Sequence, residues 1–335
     1  MMESPDLARL ITTFFVTHLA AERNVSRNTE VAYRDALKLF LRFASDFYKC
    51  KVDSLVIEQL TVDVVLGFLH SLEATRKNAI QTRNARLAAI HCFFRYVLYC
   101  APPLAALCQR ILTIPVKKAI RPALGYLDGE EVEYILGQIQ RSTREGRRDY
   151  LLFALLYDTG ARIQETLDMN PSDFHLVSPP FVRILGKGRK ERICPLLPQT
   201  ARLVAQFLNS EGRSLEEDRA LIQNRRGEKL TRQGARYILK KYLNRAAETM
   251  PALKRPHISP HTLRHSKAMH LLQSGVPIIT IKDVLGHADV RSTEVYVQTD
   301  VEAKRKALEL SGTPSRTTRG SRGIAPDLLK WLESL

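Results

Sequence analysis

At 335 residues, with 44% hydrophobic and 26% charged side chains, the chain has a globular composition and enough length for two cores. Lys and Arg number 51 against 35 Asp and Glu, a formal charge of +16, which argues against an acidic scaffold and for a polyanionic partner. No apolar run reaches the roughly 20 residues of a membrane span, so no membrane partner is expected.

The N-terminus, with Glu3, Asp6 and Arg9, does not resemble a secretion signal. Five cysteines without a C-x-x-C pair suggest neither a disulfide framework nor a zinc knuckle. A soluble intracellular chain follows as the expectation. Up to residue 121 there are 17 basic residues against 10 acidic, and after it 34 against 25. Both halves are therefore cationic, as expected of two domains gripping one polyanion.

Residues 1–111 read as a helical unit. Asn28 is a plausible N-cap for a helix striped by Val31, Leu37, Phe40 and Leu41. A second helix is expected over Val62 to Leu72, led by Thr61. A third runs from Thr82 to Tyr99, with Leu87, Ile90, Phe94 and Val97 inward and Arg83, Arg86 and Arg95 on other faces. Pro102 and Pro103 end it. Such a bundle, with arginines outward, suits a DNA backbone.

Residues 112–126, with two prolines and the basic pair Lys117 and Lys118, read as a linker. A second domain, 127–311, opens with Asp128 as N-cap and Glu131 in the capping-box position. The helix RDYLLFALLYDTG ends at Gly160, and RIQETLDM follows from Arg162. FVRIL, the turn GKGRK and ERICPL predict a β-hairpin with Lys187 and Arg189 at its tip. Helices are expected from Thr200 and from Thr231. Ser259-Pro260 opens another, into HTLRHSKAMHLLQ. Pro277 begins a helix closed by Gly286, and a further one near Ser292 carries Tyr296. Residues 312–335 read as a flexible tail ending in the short apolar helix PDLLKWLESL.

Six residues point to chemistry: Arg162 in TGAR, Lys187 in GKGRKER, His261 and Arg264 in PHTLRH, His287 in VLGH, and Tyr296 in STEVYVQ. Attack on a phosphodiester puts charge on two non-bridging oxygens and on the departing 5′-oxygen, and each needs a partner aimed at it beforehand. Guanidinium forks suit the first two, a role for Arg162 and Arg264. His261 lies one helical turn before Arg264, on the same face, where an imidazole can take the tyrosine's proton or bond a phosphate oxygen. His287 adds a donor, Lys187 can protonate the leaving oxygen, and Tyr296 is the nucleophile. No carboxylate cluster with metal-ligand spacing is present, so neither metal nor cofactor is expected. Each motif alone is unspecific; any of the 11 tyrosines is more often a core or rim residue than a nucleophile. The ordered set is the specific signal.

That set resembles the tyrosine recombinase (phage integrase) family, most closely its Xer-like and transposon-encoded members. The resemblance implies a core-binding, SAM-like helical bundle, to which SRNTEVAYRDALKLFLRF and TRNARLAAIHCFFRYV are also similar. It implies an α+β catalytic domain with a small antiparallel sheet, the two forming a C-shaped clamp on double-stranded DNA. The six residues match the family's catalytic positions one by one. His265 matches a histidine usual beside the second arginine, read here as packing or as a support behind the catalytic groups. The chemistry implied is strand cleavage through a 3′-phosphotyrosine, with exchange by a tetramer on two duplexes, either of this chain alone or with related recombinases. PDLLKWLESL would dock on a neighbouring protomer or fold against its own domain. Arg83, Arg86, Arg95, Lys117, Lys118 and Arg189 are the further DNA-contact candidates. A mobile-element enzyme is the expected biology. A catalytically silent DNA-binding relative and a type IB topoisomerase-like relaxing enzyme are the alternatives.

Overall fold

A computed structural model describes residues 6–119, 125–186, 190–255, 258–286 and 293. Two compact units divide the chain, Met1–Pro122 and Ala123–Leu335. Each has its own apolar core.

The first unit is helical throughout. Helix α1 (Leu7–Thr13) runs directly into a π-helical stretch, Phe14–Glu22. After it come α2 (Arg27–Tyr48), α3 (Val62–Ala74), α4 (Ile80–Cys100) and α5 (Ala105–Leu112). The cap of α2 is Ser26, whose Oγ accepts from the Thr29 amide, two residues before the Asn28 that the sequence offered. Thr61 caps α3 through the Val64 amide. Phe14, Phe40, Phe68, Phe93 and Phe94 fill the core, Phe14 meeting Phe93 edge to face at 5.4 Å.

Arg83 does not face outward; only 4% of it is exposed. It lies one helical turn before Leu87, so it shares the core-facing stripe. Its guanidinium donates to Asn84 Oδ1 and the Pro115 carbonyl and stands 3.5 Å from the Glu73 carboxylate. A buried cation held this way fastens the end of the unit instead of presenting charge to a polyanion. Arg86 is half-buried, and burial, then the neighbouring Arg76 charge, lowers its pKa. Arg95, Lys117 and Lys118 are exposed. Lys117 pairs with Glu73 at 2.8 Å and its backbone is bonded on both sides by Asn84, so the stretch read as a linker begins tied to α4.

In the second unit come α6 (Gly129–Gly137), α7 (Arg144–Thr159), α8 (Ile163–Asp168), β1 (Phe174–His175), β2 (Phe181–Leu185) and β3 (Glu191–Pro195). They are followed by α9 (Pro198–Ser210), α10 (Arg232–Thr249), α11 (Pro260–Gln273) and α12 (Ile278–Leu285). The strands form one antiparallel sheet in the order β1-β2-β3, with Val182 opposite Cys194 and Leu185 opposite Glu191. Helix α7 is central: Leu151 through Leu156 are all buried, an unbroken apolar run that no single-faced helix would carry. Asp128 and Glu131 form the capping box on α6 in both directions. This is the mainly helical architecture with a small antiparallel sheet that the sequence led us to expect. No described helix is long and apolar enough to cross a membrane.

Candidate active site

The turn TGAR between α7 and α8 sets the geometry. Thr159 Oγ1 turns back to the Leu155 carbonyl and accepts from the Ala161 amide, which closes the end of α7. Gly160 follows in the left-handed conformation, φ 58°, the usual C-terminal glycine. A methyl group there would stand 2.6 Å from Leu285 Cδ2, so the turn and the end of α12 touch. Arg162 then takes the N-cap position of α8 with an extended backbone.

Arg264 lies on α11, which starts at Ser259-Pro260 with the Ser259 amide bonded to Thr262 Oγ1. Its guanidinium is buried, 2% exposed, and donates Nη1 to the Gly160 carbonyl at 2.6 Å and Nη2 to the Leu285 carbonyl at 2.8 Å. Those carbonyls end α7 and α12. Two helix C-termini, each with negative dipole character, therefore converge on one permanent cation.

Arg162 is half-open to solvent and donates Nη1 to Glu165 Oε1 at 2.7 Å, while its amide bonds Glu165 Oε2 at 3.0 Å. Glu165 also accepts from Arg192 Nη2 at 2.8 Å. Burial on its own would raise the Glu165 carboxyl; the bonds from Arg192, the Arg162 amide and the Arg162 guanidinium outweigh it and hold the group below the usual glutamate range.

His261 stands one turn before Arg264 and meets the His265 ring edge to face at 4.8 Å. Desolvation, then the charges of Arg264 and Arg162, lowers its pKa below the ordinary 6.5. The residue as a whole is exposed, so the two fixed guanidinium charges are the more durable cause. His265 is deeper, and burial, then His261 and Arg264, brings it down to about 4.

Arg162, His261 and Arg264 are thus brought together, with Glu165 and His265 beside them. Lys187, Arg189, His287, Tyr296 and the terminal PDLLKWLESL lie outside the described residues. Two features escaped the reading of the sequence. Arg192 is a charged residue on the inner face of β3, alternating with exposed Glu191 and Ile193 and sharing the face of buried Cys194. The period of two in that strand was the available signal. Helix α10 packs Ala235, Ile238, Leu239, Tyr242 and Leu243 inward and leaves Arg232, Arg236 and Lys240 as an exposed row, with Lys241 and Arg245 beside it. Its apolar stripe, read at helical spacing, leaves that row outside. No cluster of three or more metal-binding side chains occurs among the described residues.

Known proteins resemble this chain along nearly its whole length. The profile of the phage integrase family matches residues 125–303, and that of the phage integrase N-terminal SAM-like domain matches residues 13–99. A protein of Sinorhizobium fredii named "Putative integrase/recombinase y4rC" is 34% identical over 337 residues, covering 100% of both chains. The tyrosine recombinase XerD of Oceanobacillus iheyensis is 32% identical, covering 84% of this chain and 91% of its own. Among solved structures, XerH site-specific recombinase bound to palindromic difH substrate shares the fold at TM-score 0.67 and 23% identity, over 85% of this chain and 80% of that one. The Tn1549 transposon integrase in complex with transposon right end DNA does so at 0.66 and 14%, over 90% and 98%. With both profiles matched and relatives aligned along nearly the whole length, the chain belongs to the phage integrase family of tyrosine site-specific recombinases.

Proposed function

We propose that the protein cleaves and rejoins specific double-stranded DNA sites through a 3′-phosphotyrosyl intermediate, with neither metal nor nucleotide cofactor. The observation that supports this most is the buried Arg264 guanidinium, held in place by two helix C-termini, beside the more open Arg162 and a histidine of lowered pKa. Two forks of fixed charge suit the non-bridging oxygens of a phosphate in attack. A histidine kept neutral can accept a proton, so His261 takes the one the Tyr296 phenol loses. The phenolic oxygen bonds to phosphorus while the bond from phosphorus to the 5′-oxygen breaks. Lys187 gives that oxygen its proton, and His287 adds a hydrogen bond to the phosphorane. The covalent ester retains the energy of the broken linkage, so a second 5′-hydroxyl reverses the step without ATP.

The exposed arginines and lysines of α10, with Arg95 and Lys118 in the first unit, supply phosphate contacts. Four protomers on two duplexes, alone or with related recombinases, complete the exchange. Integration or movement of a mobile element is the use we favour, because the relative that matches end to end carries an integrase/recombinase name.

The test is a nicked suicide duplex built from the DNA flanking the gene. The wild type is expected to leave a covalent protein–DNA adduct, and Tyr296→Phe none. An adduct surviving that substitution would remove Tyr296 from its role. Persistent relaxation of any plasmid by a monomer would turn the reading toward a topoisomerase.

A further inference from the structure

Arg192 lies where three segments meet, and each leads within a few residues to a group that the proposed function uses. Its Nη2 donates to Glu165 Oε2 at 2.8 Å, and Glu165 holds Arg162. Its Nε donates to the Val284 carbonyl at 3.2 Å, in the last turn of α12, three residues before His287. Arg192 itself belongs to the hairpin whose connection includes Lys187, and Gly186, just past the end of β2, has its vacant Cβ position 3.6 Å from Arg192 Nη1. The side chain is 13% exposed. Gly286 makes room for it: a methyl group there would stand 2.7 to 2.9 Å from Arg192 Nη1, Cζ and Cδ.

The three segments do not depend on Arg192 equally. Arg162 keeps both its side-chain and its amide bond to Glu165, and the end of α12 keeps the bond from Arg264 to the Leu285 carbonyl. At the hairpin's far end, Leu185 is exposed and Glu191 points to solvent. Among the described residues, that end is closed by the Gly186 amide bonding the Lys190 carbonyl within the hairpin itself. Among the described residues, the Arg192 side chain hydrogen-bonds from the hairpin to both α8 and α12.

We infer that Arg192 is a positioning residue, fastening the hairpin to the ends of α8 and α12 so that Lys187 meets the 5′-oxygen as it departs. The inference rests on the role given to Lys187 above. In that step the ammonium proton passes to the 5′-oxygen as its bond to phosphorus breaks and the bond from phosphorus to the Tyr296 oxygen forms. Losing Arg192 should therefore look like losing the proton donor.

Single-turnover cleavage of two suicide duplexes tests this, one ordinary and one with sulfur in place of the bridging 5′-oxygen. A thiolate leaves without a proton, because thiols are far more acidic than alcohols. Arg192→Met, which keeps the length of the stem but no donor, is expected to cleave the ordinary duplex about 10²-fold more slowly than wild type, the usual result of misplacing a reacting group. On the sulfur duplex its rate should approach that of wild type, and Lys187→Ala should behave the same way. Arg192→Lys keeps the charge beside Glu165 but cannot reach both partners; a smaller loss, again relieved by sulfur, is expected, and it decides the matter if the Met variant does not fold. Equal slowing on both duplexes would reduce Arg192 to a general structural part, and wild-type rates on both would overturn the inference. Failure of sulfur to relieve Lys187→Ala would instead remove Lys187 as proton donor, and absence of any wild-type adduct would end the phosphotyrosyl reading itself.

Discussion

His265 packs against His261 beside Arg264 and resists protonation. Burial, then His261 and Arg264, brings its pKa to about 4, whereas the unfolded chain protonates it near 6.5. Between those values the unfolded state binds more protons than the native one, so the His265 contribution to stability falls as pH drops from about 6.5 to about 4 and is constant below. The loss is at most about 3 kcal/mol, reduced by solvent screening of the partly open ring. His265→Gln, neutral throughout, should show a shallower fall in unfolding midpoint over that range, with His261 supplying the remainder in the same direction. An unchanged slope would contradict the assignment. Glu165 acts lower: its carboxyl is held down, so its contribution persists above the ordinary value of 4.5 and is lost as pH falls beneath it. Single residues were also where the sequence was hardest to read. Arg162 and Arg264 stood out because their motifs surround them, but Arg83 and Arg192 look like ordinary surface charges. Their burial depends on partners that lie far along the chain or sit on a face only a correct register reveals.

Among the elements, boundaries set by local chemistry were legible. Thr61, Asp128 with Glu131, Thr231 and Ser259 each cap a helix through bonds closed within three residues. The π-helical stretch after α1 and the two-residue strand β1 were not, since one carries no distinct pattern and the other is too short for any period. The C-terminal glycine of α7 was legible for its left-handed turn, but not for what its carbonyl does. Gly160→Ala would meet both a positive φ and Leu285, and it would displace the carbonyl that holds Arg264. A destabilisation of about 1–3 kcal/mol in denaturant unfolding is expected, together with slower cleavage at temperatures where the variant remains folded. A variant that is less stable yet cleaves at full rate would separate the turn from the site.

Over the whole molecule, two units with separate cores each carry a cationic excess, +7 and +9 when the basic and acidic residues up to Pro122 and beyond it are counted. That balance was open to simple counting, as was the ordered set of motifs, because both are properties of composition and order and not of packing. The proposed function joins the two: cations fixed in the fold would take the place that a metal holds in other phosphoryl-transfer sites, with a phenol as the nucleophile. Its most direct test is to trap the adduct on a suicide duplex in excess EDTA, digest it with trypsin and identify the peptide that carries DNA. Adduct formation undiminished by the chelator, with the nucleotide on the peptide spanning residues 292–304 at Tyr296, is the predicted result. A strict need for a divalent cation, or DNA attached to any other side chain, would contradict it.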